Sequence, residues 1–283
     1  MTGHQPPPNV QLALAARAEN VVLVREVLAG LGDNVALGSS LDDVKAAVSE
    51  ACNNAVVHAY PGGDGPMEVD LRVLPAQLRV VVRDAGVGTA RRAEDDSTPG
   101  RGIGLAVIEA LASSMELRAS PGHGVEVEMS FEIPDRGLAP GGVGGAVPTL
   151  IATSGVRVSI SPTEIGGSIL NRLVSALAAR AGFSIDRLSD AQMLSDALGE
   201  RVSAVLDGGR VSFGLDAADR ALSLRIGPLR AGGGGSLVAA ATVADLGSVV
   251  ERLADEVDVS GEPGGEVLAV VMRASSPGRP PGA

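Results

Sequence analysis

The chain has 283 residues, 23 of them basic and 34 acidic, which gives a net charge of −11, and only 1% are aromatic. This composition argues against direct nucleic-acid binding, which needs a positive field and, for single strands, aromatic stacking platforms. The single cysteine, Cys52, excludes an intrachain disulfide, and no apolar run is long enough to span a membrane. The start, MTGHQPPPNV, does not resemble a signal peptide, so we expect a soluble cytoplasmic protein without membrane contact.

The first half of the chain predicts helices and strands around a core of Val, Leu, Ile and Ala. The predicted elements are a strand at 10–15, helices at 20–32 and 41–60, strands at 67–73 and 77–84, a helix at 102–112, and strands at 115–118 and 125–131. Asn20 is the predicted N-cap of the first helix. The last strand alternates apolar residues with Glu126, Glu128 and Ser130, which predicts one buried and one solvent-facing side. One helical layer on an antiparallel or mixed sheet predicts an α+β fold, a two-layer α/β sandwich.

The second half repeats the plan of the first. Residues 137–148, rich in Gly and Pro, are the predicted linker between domains at 9–136 and 149–274. Three segments align in the same order at nearly constant spacing, pairing Glu50 with Asp196, Leu78 with Leu222, and Val107 with Val249. This pattern predicts a tandem duplication. Two unrelated α+β domains with similar patterns are the alternative.

Three clusters in the first half carry the candidate chemistry. Glu50 and Asn54 are one helical turn apart, so their side chains share one face of the second predicted helix. The other two clusters are DAGVG at the end of a strand (Asp84, Gly86, Gly88) and GRGIGL at the start of the third helix (Gly100, Arg101, Gly102, Ile103, Gly104, Leu105). Each cluster by itself is also common on solvated helix faces and in tight turns.

The residue types in these clusters suit a magnesium nucleotide. An Asn54 carbonyl can ligate Mg²⁺ without adding charge, and Glu50 is placed to accept a proton as a general base. Asp84 can accept a hydrogen bond from an N–H group of a ligand. The glycines allow close approach of the backbone, and the free N–H groups of a helix start suit phosphate, which Arg101 could also reach.

In this order the clusters resemble the nucleotide site of the GHKL ATPase superfamily, the Bergerat fold of histidine kinases, gyrase and anti-sigma serine kinases. The runs EACNNAVVHAY, DAGVG and GRGIGLAVI are most similar to those of the anti-sigma serine kinases, over roughly residues 11–133. The resemblance implies ATP and Mg²⁺ as cofactors, with Glu50 as the catalytic base and Asn54 on the metal. It also implies that Asp84 and the residues of both glycine segments bind the nucleotide, and that 89–99 form a lid.

Two positions need separate interpretation. His58 shares the face of Asn54, but the phospho-accepting histidine of sensor kinases lies on a separate helical hairpin. A structural role, or one that supports the residues in contact with the ligand, is expected for His58. The family continues with Gly-Thr near its final strand, whereas this sequence has Gly122-His123-Gly124-Val125 and no threonine. One nucleotide contact is therefore in doubt.

The second half has lost the candidate site. Asp196, Glu200 and Pro228 stand where the first half has its Glu, Asn and Asp. Proline has no side-chain acceptor, and an added carboxylate would repel a triphosphate. The second copy is predicted to lack nucleotide and to pack, dimerise or dock a protein, and a second nucleotide site is the alternative.

The resemblance implies an ATP-dependent serine protein kinase that phosphorylates an anti-sigma-factor antagonist and otherwise sequesters a sigma factor. One alternative is a non-catalytic, ATP-sensing module that binds a protein partner. Another is a detached sensor-kinase ATPase domain, for which the sequence shows no histidine hairpin. A homodimer and an intrachain pseudo-dimer are both left open.

Overall fold

The computed structural model describes residues 8–37, 41–87, 103–120, 124–135, 155–206, 208–243 and 247–274. The chain divides into two units, Met1–Val156 and Arg157–Ala283. The predicted linker, 137–148, lies outside the described residues, so the domain boundaries given by the sequence stay a prediction.

The first unit contains the elements in the predicted order. They are β1 (Asn9–Ala15), α1 (Ala18–Asn34), α2 (Leu41–His58), β2 (Pro66–Leu74), β3 (Gln77–Asp84), α3 (Ile103–Leu111), β4 (Ser114–Ser120) and β5 (Gly124–Glu132). The strands pair antiparallel in the order β1-β2-β3-β5-β4. The α+β class and the two-layer arrangement are therefore confirmed.

Helix α2 holds the centre of the helical layer, where it packs against α1, α3, β3 and β5. Its buried positions are small or β-branched and recur every three or four residues: Val44, Ala47, Val48, Ala51, Cys52 and Ala55. Small side chains let the helix lie close to the sheet and to its neighbours. They explain why the polar motif of α2 is set among alanines.

Two details of the first unit differ from prediction. The N-cap position of α1 is Arg17, and Asn20 lies buried inside the first turn, where Nδ2 donates to the Ala15 carbonyl at 3.0 Å. The outer side of β5 is not fully solvated, because Ser130 is buried and Glu128 pairs with Arg79 at 2.6 Å. Ion pairs between neighbouring strands therefore partly cover the side of β5 that the alternating pattern predicts to face solvent.

The core is aliphatic, as the composition predicts. Val, Leu, Ile and Ala make up nearly all of it, and one phenylalanine is fully buried in each unit, Phe131 in the first and Phe213 in the second. Within the described residues, no helix is both long and apolar enough to cross a membrane.

The second unit has its main elements in the same order as the first. They are β6 (Val156–Ser161), α4 (Gly166–Arg180), α5 (Ile185–Gly199), β7 (Val211–Ala218), β8 (Ala221–Leu229), α6 (Gly233–Ala240), a pair of short strands β9 (Thr242–Val243) and β10 (Gly247–Ser248), α7 (Val249–Leu253), β11 (Glu256–Glu262) and β12 (Gly265–Arg273). The strand order, β6-β7-β8-β12-β11, repeats that of the first unit. A common origin of the two units remains a prediction.

Candidate functional site

Helix α2 presents Glu50 and Asn54 on one face, and both side chains are half-buried. Asn54 Nδ2 is buried and has no hydrogen-bond partner among the described residues. Buried polar atoms are nearly always paired in folded proteins, so an orphaned amide indicates a missing partner. Glu50 and Asn54 therefore have the predicted i, i+4 arrangement, and the Nδ2 atom of Asn54 has no hydrogen-bond partner among the described residues.

The carboxylate of Glu50 lies against the start of α3. A Cβ atom added at Gly104 would come within 2.3 Å of Glu50 Oε1 and 3.1 Å of its Cδ. Only glycine fits there with Glu50 in this position. The structure thus brings the first and third sequence clusters into direct contact.

Asp84, the last residue of β3, is held by two backbone groups. Its Oδ1 accepts from Gly86 N at 2.9 Å and from Val125 N, in β5, at 3.2 Å. In the described part of the chain no hydrogen bond ends on Oδ2. One oxygen therefore fixes the side chain, and the other can accept a hydrogen bond from a ligand.

The loop after Asp84 is fastened to the C-terminal end of α2. Val87 N donates to the Ala59 carbonyl at 3.0 Å, and a Cβ on Gly86 would lie 2.2 Å from that carbonyl oxygen. Ala85 N donates to the hydroxyl of Tyr60 at 2.7 Å. The same helix therefore carries Glu50 and Asn54 and positions the loop that follows Asp84.

Part of the predicted site lies outside the described residues, namely Gly88, Gly100, Arg101 and Gly102, the predicted lid at 89–99, and Gly122 and His123. Ile103 begins α3, and Leu105 is half-buried in the same helix.

Two residues of the site were not predicted as functional. The sequence pattern places Tyr60 only at the end of the predicted helix 41–60, although it is the only tyrosine and directly follows the motif. Gly124 has φ of +80°, and a Cβ there would lie 1.9 Å from the Asp84 carbonyl oxygen. A glycine at the start of the last strand was a usable signal for this contact, since that backbone conformation favours glycine.

Neighbouring polar groups belong to the framework of the unit. Burial raises the pKa of the Cys52 thiol to about 12, consistent with a small buried side chain. Arg83 Nε donates to Glu126 Oε2 at 2.5 Å. Burial acts to raise the pKa of Glu126, but the hydrogen bonds from Arg83 and Arg118 outweigh it, and the pKa lies below its ordinary value. His58, the last residue of α2, is half-buried.

Comparison with known proteins places this site in a family. The histidine kinase-like ATPase domain family matches residues 14–131. The serine-protein kinase RsbW of Bacillus pumilus (strain SAFR-032) is 30% identical over 129 residues, which are 40% of this chain and 80% of that protein. The chain belongs to the GHKL superfamily of histidine kinase-like ATPases.

Other similarities are more partial. RsbW of Bacillus thuringiensis (strain Al Hakam) is 32% identical over 79 residues. The aligned residues are 28% of this chain and 49% of that relative. The solved structure of crystal form III of TP0453 aligns over 94% of this chain and 90% of that one, at 12% identity and a TM-score of 0.33. The family match, at residues 14–131, lies in the first unit, whose GHKL domain implies nucleotide binding.

The residues of the GHKL domain fit a magnesium ion held mainly by a nucleotide. Among the residues described, no three His, Cys, Asp or Glu side chains gather into a metal site. Magnesium commonly takes one or two protein oxygens and completes its shell with phosphate oxygens and water. The unpartnered amide of Asn54 suits that role, because a half-turn of the amide exchanges Nδ2 for Oδ1.

The second unit arranges the corresponding strand junction differently. In the GHKL domain, Asp84 at the end of β3 accepts from Val125 N in β5. In the second unit the carboxylate is on the other strand: Glu266, in β12, accepts from Gly232 N at 2.7 Å through Oε1 and from Gly234 N at 3.0 Å through Oε2. Both oxygens of Glu266 are therefore already engaged.

The acidic residues aligned with Glu50 and Asn54 contact other side chains of the second unit. Asp196 accepts from Asn171 Nδ2 at 2.7 Å, and Glu200 pairs with Arg201 at 2.9 Å. Asp196, Glu200 and Arg201 border a cleft of about 410 Å³ beside α5. Glu200, at the position aligned with Asn54, thus has a cationic partner where the GHKL domain has an unpaired amide.

Proposed function

We propose that this protein is an ATP-dependent serine protein kinase of the anti-sigma type. It binds Mg-ATP in the first unit and transfers the γ-phosphate to a serine of an anti-sigma-factor antagonist. When it is not engaged with the antagonist, it holds a sigma factor away from RNA polymerase. Membership of the GHKL superfamily and the serine-protein kinase RsbW relatives support this proposal.

The observation that carries the proposal is the pairing of Glu50 with Asn54 on one face of α2. On a purely structural helix face, a buried amide is usually hydrogen-bonded. Here the amide of Asn54 is buried and unpaired, one turn from a carboxylate that rests against the start of α3. A proton acceptor beside a metal-binding amide is an arrangement that suits phosphoryl transfer to a hydroxyl.

Each residue has a distinct part in the proposed reaction. Glu50 accepts the proton of the attacking serine hydroxyl, and Gly104 leaves the space that its carboxylate occupies. Asp84 Oδ2 accepts from the exocyclic amine of adenine, while Oδ1 stays bonded to the backbone. Asn54 would hold magnesium, which when bound neutralises charge on the phosphates.

The second unit, in this proposal, is a degenerate copy that binds no nucleotide and contributes to packing, dimerisation or docking of a protein. Two features support this part. Both carboxylate oxygens of Glu266 accept hydrogen bonds from backbone N–H groups, and Glu200 forms an ion pair with Arg201. A ligand could use Glu266 only after breaking the two backbone contacts that this carboxylate makes within the unit.

The test is phosphotransfer from labelled ATP, with magnesium, to a panel of candidate antagonist proteins. Replacing Glu50→Gln keeps the shape of the side chain and removes the proton acceptor, so we expect transfer to fall by about 10²- to 10⁴-fold. Binding of ATP, measured by calorimetry, should change by less than about threefold, since Glu50 acts on the hydroxyl that attacks.

Glu109→Gln is the matched control, because Glu109 is an exposed carboxylate on α3. It should transfer phosphate at the wild-type rate. A Glu50→Gln variant as active as the wild type would overturn the assignment of the base. A wild type that binds ATP but phosphorylates none of the candidates would favour the ATP-sensing module over the kinase.

A further inference from the structure

Tyr60 joins three parts of the first unit at one hydroxyl group. It follows α2, its hydroxyl donates to the Pro66 carbonyl at 2.5 Å, and it accepts from Ala85 N at 2.7 Å. The ring also lies against Gly65, where an added Cβ would come within 2.1 Å of Cε1. The hydroxyl therefore connects the start of β2 with the loop that leaves β3.

This contact controls the residue next to Asp84. Ala85 follows Asp84 directly, and the next amide, Gly86 N, donates to Asp84 Oδ1. A phenol can donate and accept at the same time, whereas phenylalanine can do neither. Without the hydroxyl, the Ala85 amide and the Pro66 carbonyl both lose their partner, and the direction of the loop is set only by its remaining bonds.

We propose that Tyr60 is a positioning residue, whose hydroxyl fixes the loop after β3 so that Asp84 presents its free oxygen to an adenine base. This inference rests on the proposed function for the identity of the ligand. It adds that recognition of the base depends on a side chain that need not touch the nucleotide. The distance along the chain, 25 residues between Tyr60 and Ala85, makes this a tertiary contact and not part of a local turn.

The environment of Tyr60 keeps its hydroxyl protonated. Burial raises the pKa of Tyr60, the Ala85 N–H acts in the opposite direction, and the negative charges of Asp84 and Glu68 raise it further. The net pKa lies above the ordinary value for tyrosine, so the group acts as donor and acceptor together across the neutral range.

The first arm of the test needs no nucleotide. Amide hydrogen exchange is measured on the full chain for the wild type, Tyr60→Phe and Ser113→Ala. Ser113 is the matched control, since its hydroxyl also accepts from a backbone amide, Glu132 N, at 3.1 Å. We expect Tyr60→Phe to accelerate exchange at Ala85 and Gly86 by about tenfold, the equivalent of one lost hydrogen bond. Ser113→Ala should leave both amides unchanged.

The second arm measures affinity for ATP and GTP by calorimetry. Tyr60→Phe should weaken ATP binding by about tenfold and reduce the preference for ATP over GTP, whereas general destabilisation would leave that preference intact. Because the chain has one tyrosine and no tryptophan, its tyrosine fluorescence comes from Tyr60 alone and reports a change at this loop when nucleotide is added to the wild type.

The outcomes separate the inference from the proposed function. Unchanged exchange at Ala85 and Gly86 in Tyr60→Phe overturns the positioning role, whether or not nucleotide binds. Faster exchange with unchanged ATP affinity and preference also overturns it, and leaves the kinase proposal standing. A wild type that binds neither nucleotide overturns the proposed function, and the role of Tyr60 in base recognition with it.

Discussion

No side chain fits at position 104 while Glu50 keeps its observed conformation, so this position needs glycine. The nearest atoms to an added Cβ are Oε1, Cδ and Cγ of Glu50, at 2.3, 3.1 and 3.2 Å. These are the end of a flexible side chain, so the fold can accept a methyl group if the carboxylate turns away. The geometry of the proposed base therefore depends on the absence of a side chain on a different helix.

Gly104→Ala should lower phosphotransfer by about 10- to 100-fold, because a displacement of about 1 Å at a reacting group has effects of this size. The melting temperature should stay near that of the wild type. Gly63→Ala is the control, since an added Cβ there meets nothing within 4 Å. If Gly104→Ala transfers phosphate as fast as Gly63→Ala does, the contact with Glu50 has no part in catalysis.

The sequence predicted the parts of the site that depend on local periodicity. Glu50 and Asn54 share a face because a helix repeats every 3.6 residues, and no tertiary information was needed. The contact between Val125 and Asp84 spans 41 residues and that between Ala85 and Tyr60 spans 25. Such contacts depend on how strands and loops pack, which a motif with fixed spacing does not encode.

At the scale of elements, the sequence predicted the order of the helices and strands better than the residues at which they begin and end. Asn20 is a residue type that favours N-caps, yet α1 begins at Ala18, because the Asn20 amide bonds to Ala15 at the end of β1. The side chain thus bonds back to a residue five positions earlier and does not cap the helix. The glycine run after β8 is a similar case: its amides at Gly232 and Gly234 bind Glu266, from a strand more than thirty residues later.

The loop between β8 and α6 should depend on pH through Glu266. Hydrogen bonds from Gly232 and Gly234 lower the pKa of Glu266. Because the pKa is lower in the folded than in the unfolded state, the carboxylate stabilises the fold above the unfolded value, about 4.3. That stabilisation is lost as pH falls through the folded value.

We therefore expect Glu266→Gln to have a lower free energy of unfolding than the wild type at neutral pH, and the two to converge as pH falls below about 4. Urea unfolding between neutral and acid pH measures the difference. Glu164→Gln, an exposed carboxylate of the same unit, should follow the wild type throughout. A difference between Glu266→Gln and the wild type that stays constant with pH would mean that the charge is not what holds the loop.

At the scale of the whole molecule, the two units share their order of elements but differ in the groups left available. The first unit has an unpartnered amide on Asn54 and an open oxygen on Asp84. In the second unit, Glu200 forms an ion pair with Arg201, and both oxygens of Glu266 accept from backbone N–H groups. Topology can be repeated while the chemistry is not, since a few side chains decide binding and many decide the fold.

This difference predicts one adenine nucleotide bound per chain. In the first unit, Asp84→Asn should weaken ATP binding by about 10- to 100-fold, because an amide that still accepts from Gly86 N and Val125 N turns its NH₂ group, a second donor, toward the amine of adenine. Asp196→Asn, at the position aligned with Glu50, keeps an acceptor for Asn171 and should leave both the heat and the stoichiometry of binding unchanged. Isothermal calorimetry on the full chain measures both quantities. Two nucleotides per chain, or binding that Asp196→Asn weakens and Asp84→Asn does not, would place a nucleotide site in the second unit.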